Sequence, residues 1–89
     1  MRFGYNGQVS ATVLLFASIA EKAGVRKLDI ELAPGATVAS VREQVLERFP
    51  QLRDFMPTLM YALDEEYVRD TAPVCDGSTV ALIPPVSGG

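Results

Sequence analysis

The segment Pro84-Pro85-Val86-Ser87-Gly88-Gly89, which closes this 89-residue sequence, has the composition best suited to chemistry. Glycine lacks a Cβ, so Gly88 and Gly89 can thread a channel too narrow for any other residue. Proline fixes φ and keeps the residue before it extended, so Pro84-Pro85 should project the segment from the body as an arm. From Pro84 onward that arm reaches roughly 20 Å at about 3.3–3.6 Å per residue. The reactive group it would deliver is the α-carboxylate of Gly89. A fortuitous Gly-Gly pair has a chance of about 0.5% when glycine is near 7% of residues; a frayed terminus is the bland alternative. A carboxylate is a poor electrophile, and nothing here resembles a phosphate-binding loop that would hold ATP. The expectation is a substrate that a second protein activates.

The rest of the composition removes competing chemistries. Histidine is absent, which excludes Ser-His and Cys-His nucleophile pairs and imidazole metal ligands. The single cysteine, Cys75, excludes an intrachain disulfide and any four-cysteine cluster. With no histidine to activate it, Cys75 reads as a small buried hydrophobe more readily than as a persulfide relay. Asp64-Glu65-Glu66, with Asp70 nearby, lacks the set spacing of a cation site and reads as a solvated turn, so no metal is expected. A net charge of −3 disfavours a nucleic-acid backbone and favours a protein partner with a basic surface. No apolar run approaches the ~20 residues needed to span a bilayer. Arg2 followed by Val13–Ala20 has the look of a short signal sequence, but its flanks are weak and cleavage would delete the best strand. A reducing, cytoplasmic compartment is the expectation.

The elements that must position the tail follow from periodicity. Residues 1–11 read as a loose extension with a turn signal at Asn6-Gly7. Thr12–Phe16 is apolar on both faces, as a central strand should be. A short helix over Ala17–Ala23 should stop at Gly24. Leu28, Ile30 and Leu32 alternate with Asp29 and Glu31 as a strand with one wet face, ending at Pro34-Gly35. Thr37 caps the principal helix, whose apolar stripe is Val38, Val41, Val45, Leu46 and Phe49. Arg42 and Arg48 are assigned to its wet side. Pro50 stops it. Leu52, Phe55 and Met56 suggest one more helical turn, bounded by Pro57. Met60–Leu63 and Tyr67-Val68 form a hairpin around the acidic turn, and Val80–Ile83 is the last strand, ending at Pro84-Pro85. This order predicts an α+β fold of the β-grasp, ubiquitin-like type: a mixed sheet over residues 12–83 with one principal helix across it, and a tail from 84 to 89.

Val80-Ala81-Leu82-Ile83-Pro84-Pro85-Val86-Ser87-Gly88-Gly89, preceded by Asp76-Gly77, resembles the C-terminus of the small subunits of molybdopterin synthase, a family of ubiquitin-like sulfur carriers. Val13–Ala17 is similar to that family's first strand, Pro34-Gly35-Ala36-Thr37-Val38 to the start of its helix, and Tyr61–Val68 to its acidic hairpin. The resemblance runs from Thr12 to Gly89. It implies that an adenylating enzyme related to ubiquitin activators uses ATP and magnesium to form an acyl-adenylate on Gly89. A sulfur donor protein then converts this to a thiocarboxylate. The charged tail would enter the large subunit of molybdopterin synthase and give its sulfur to a cyclic pyranopterin monophosphate, while the large subunit supplies the catalytic side chains. The chain itself would bind no cofactor and be no enzyme alone. A carrier for thiamine synthesis or tRNA thiolation, a protein modifier, and a noncovalent β-grasp module are the rival readings.

Alternation suggests a partner surface. If Val80 and Leu82 face the helix, Ala81 and Ile83 face away, and Phe16 on a neighbouring strand together with Tyr67 would complete an exposed apolar patch. In the family, analogous positions resemble the contact surface for both the large subunit and the activating enzyme. Phe16 as plain core is the alternative.

Overall fold

The computed structural model describes residues 8–85. Most of the expected extension, Met1–Gly7, and the tail residues Val86–Gly89 lie outside them. The first strand, β1 (Val9–Leu15), begins three residues earlier than expected. Its inward set is Val9, Ala11, Val13 and Leu15, of which Ala11, Val13 and Leu15 are buried and Val9 packs against the core. The alternation thus already begins at Val9; small and polar residues at 10–11 obscured it. β1 ends at Leu15, so Phe16 is no longer in the strand and instead precedes α1 (Ala17–Ala23) as its N-terminal flanking residue. Gly24, at φ 83°, closes that helix with its amide on the Ala20 carbonyl, a conformation that suits glycine.

β2 (Lys27–Leu32) follows, antiparallel to β1. It is an edge strand with Lys27, Asp29 and Glu31 outward, and the Gln44 side-chain amide donates to its Glu31 carbonyl at 2.7 Å. α2 (Val38–Arg48) begins after Thr37, whose amide donates to the Ser40 hydroxyl at 3.0 Å. The amides of Val38 and Ala39 are taken by the carbonyls of Ala72 and Asp70, so the helix start is satisfied by the loop that follows the hairpin. Val38, Val41 and Val45 are fully buried against the sheet, each contributing about 1.5–3 kcal/mol of transfer free energy. After Phe49 a 3-10 helix, Pro50–Thr58, replaces the single turn expected and runs through Pro57. Its anchor is Leu52, fully buried, with its amide on the Phe49 carbonyl.

β3 (Met60–Leu63) and β4 (Glu66–Val68) form the hairpin, and β5 (Ser78–Ile83) completes a five-stranded sheet of order β2-β1-β5-β3-β4. β5, not β1, is the middle strand. It runs parallel to β1 and antiparallel to β3, and Val80, Ala81 and Leu82 are all buried. β1 is interior but one place off centre, and its apolar run could not distinguish the two positions. α2 lies on one face of the sheet; among the described residues the other face is open, leaving Phe16, Met60 and Tyr67 exposed.

Candidate functional site

Register fixes what the open face displays. Ile83 pairs with Met60 across β5 and β3, and Phe16 continues β1 beside them, its amide donating to the Leu82 carbonyl at 3.3 Å. Two residues down each strand, and so on the same face, Tyr67, Ala62, Ala81, Leu14 and Lys27 line up across all five strands. Phe16 is 44% exposed, Met60 43% and Tyr67 72%. Phe16 is therefore surface, not core. Phe16 and Ile83 are neighbours, whereas Tyr67 sits at the far edge, on β4, separated from β1 by β3 and β5. Met60 belongs to this face and was not singled out in the sequence, because β3 is apolar on both sides and only its pairing with Ile83 reveals the outward residue.

Two backbone features shape the face. Ala17 has φ 53°, a conformation costing an L-residue roughly 1–2 kcal/mol, and this sharp turn sends α1 away while leaving Phe16 extended. The β3–β4 turn is Asp64-Glu65, with φ 49° and 75°, the two positive values of a tight hairpin turn. Asp64 compensates: its amide donates to the Thr79 carbonyl at 2.9 Å and its carboxylate accepts from the Thr79 amide at 2.9 Å.

The tail leaves from this end of β5. Pro84 is buried and Pro85 exposed, so the packed body extends one residue beyond Ile83. Val86, Ser87, Gly88 and Gly89, on which the expected chemistry rests, lie outside the described residues.

Arg42 departs from its expected place on the wet side of α2. It donates to the Tyr61 hydroxyl at 3.1 Å and to the Asp70 carboxylate at 2.9 Å, and its side chain is 23% exposed. The hydrogen bond to Tyr61 pushes the guanidinium further up from an already high value; burial opposes it and the hydrogen bond to Asp70 adds to the rise, so it stays charged. Asp70 is thus committed to Arg42 and not to the acidic turn. Cys75 is also corrected: it is exposed, because Ser78 fills the buried place, accepting from the Cys75 amide at 3.1 Å. Among the described residues, no group of three or more acidic or cysteine side chains converges as a metal site, and no helix is long and apolar enough to cross a membrane.

A mixed sheet of this order, crossed on one face by α2 and carrying its tail on the central strand, defines a ubiquitin-like β-grasp protein. The chain belongs to the ThiS family, whose profile matches residues 13–89. In sequence it is similar to the molybdopterin synthase sulfur carrier subunit of Chlamydomonas reinhardtii, 43% identical with 86% of this chain and 95% of that protein covered. The corresponding subunit of Arabidopsis thaliana is 37% identical, with 91% and 84% covered. In structure it is similar to SAMP1 from Haloferax volcanii, with a TM-score of 0.80, 30% identity, and 90% of this chain and 99% of that one covered.

Proposed function

We propose that this chain is the sulfur carrier subunit of a molybdopterin synthase and that the α-carboxylate of Gly89 is its working group. The observation that carries the reading is the match to sulfur carrier subunits along most of the chain, together with the Pro-Pro-Val-Ser-Gly-Gly segment leaving the central strand beside an open apolar face. In the first step the carboxylate attacks ATP, held with magnesium by an adenylating enzyme, and pyrophosphate leaves. Sulfur at the sulfide level, supplied by a donor protein, then attacks the acyl carbon and displaces AMP, giving the thiocarboxylate. In the large subunit the thiocarboxylate sulfur bonds to an electrophilic carbon of the pyranopterin acceptor as an oxygen substituent departs, and hydrolysis of the resulting thioester leaves the sulfur on the product and returns the Gly89 carboxylate. Two such deliveries supply the two sulfurs of the product, so the carrier cycles. Phe16, Met60, Ile83 and Tyr67 form the face that docks on the large subunit and, in turn, on the adenylating enzyme. Exposed apolar side chains gathered on one sheet face of so small a domain suit a partner site.

Intact-mass measurement of the protein from its native cells tests this directly: a fraction carrying one sulfur in place of one terminal oxygen is expected. Removing Gly88-Gly89 should abolish both that species and cofactor assembly. High-mass conjugates that vanish on deletion of Gly89, without the sulfur species, would identify a protein modifier instead.

A further inference from the structure

The open face is not uniform from end to end. Below the apolar rows lies a row of Asp64, Thr79, Thr12 and Asp29, and below that Ser10 pairs with Glu31. The carboxylates are exposed yet held: Asp29 accepts from the Thr12 hydroxyl at 3.2 Å, Asp64 from the Thr79 amide at 2.9 Å, and Asp76, at the lower rim, from the Ser10 amide at 2.8 Å. Among the described residues, both ion pairs use Arg42, so no described cation neutralises Asp29, Glu31, Asp64 or Asp76. The outward positions of the strands carry a single cation, Lys27, and it lies in the apolar half.

We propose that this face is a two-part docking surface. Its apolar half seats on the molybdopterin synthase large subunit, and its carboxylate band meets a strip of lysine or arginine side chains on that subunit. This rests on the carrier reading above and adds the partner's charge and the orientation of docking. Apolar contact is non-directional, so a patch of Phe16, Met60, Ile83 and Tyr67 alone does not fix how the carrier is turned. A band of one sign, about 13 Å along β5 from the point where the tail departs, does fix it, because a reversed approach leaves carboxylates facing apolar surface. In the free protein these like charges repel. Their neutralisation is therefore expected to help the isolated domain while harming the complex, a pair of opposite signs that a structural role would not produce.

The test is calorimetric titration of the full-length chain with the purified large subunit from the same cells, at low and at high salt. Asp29→Lys/Glu31→Lys should bind about tenfold or more weakly at low salt and lose most of the wild-type salt dependence. Its melting temperature should be unchanged or raised. Should the reversals unfold the strand, Asp29→Asn/Glu31→Gln reads the same effect at smaller size. Wild-type affinity and salt dependence in a folded variant, or tighter binding, overturns the proposal. Phe16→Asp separates the two readings: if it abolishes binding while the charge variants do nothing, only the band is wrong. If it too leaves binding intact, the docking reading fails.

Discussion

The amide of Phe16 donates to the carbonyl of Leu82 at 3.3 Å, so the residue that leaves β1 is fastened to the strand from which the tail departs. The bond uses backbone only and leaves the ring outside the core, 44% exposed. Phe16→Asp should therefore unfold at nearly the wild-type urea midpoint, within about 0.5 kcal/mol as for ordinary surface changes. Loss of folding would place the ring in the core.

Leu82, one position away in space, gives the contrasting case. It is fully buried between the sheet and the helices, and Leu82→Ala should cost about 2–5 kcal/mol. Chemical denaturation of the two variants side by side checks that these two hydrogen-bonded neighbours divide so sharply between face and interior.

Asp64 combines a positive φ with a reciprocal pair of hydrogen bonds to Thr79. Alanine there would lose the carboxylate acceptor and still sit in the left-handed region, for a loss of about 1–2 kcal/mol. Asparagine keeps an oxygen for the Thr79 amide and tolerates that conformation, so Asp64→Asn should stay within about 0.5 kcal/mol of wild type. Thermal melts that rank the two variants in the other order would show that charge, not geometry, holds the turn.

Arg42 ties α2 to Tyr61 on β3 and to Asp70 beyond β4. Arg42→Met keeps the aliphatic stem and removes the bonds, and about 1–2 kcal/mol should be lost. Hydrogen exchange should report faster opening at residues 66–72. Uniform protection would mean that packing alone fixes the hairpin.

Much of the architecture is legible in local chemistry. Gly24 marks the end of α1, and Thr37 and Pro50 bracket α2, because caps and breakers act within a turn of the residues they govern. The hairpin turn at Asp64-Glu65 was visible for the same reason. What stayed hidden depends on register between distant segments. Whether β1 or β5 is central, whether Met60 points outward, and whether Phe16 is buried are all decided by pairings such as Met60 with Ile83. Arg42 was misplaced because its partners lie 19 and 28 residues away. Cys75 was misjudged because composition ranks cysteine as buried, while here Ser78 takes the interior place.

The parallel pairing of β1 with β5 means that the opening strand of the fold must wait for the closing one. A polypeptide interrupted before Ser78 is missing the centre of its sheet, including the fully buried Val80 and Leu82. Long-range pairing of this kind forms late and gives little stability until it is complete. Incomplete translation products should accordingly be left to proteolysis. They would not persist as folded decoys able to occupy a partner while having nothing to hand over.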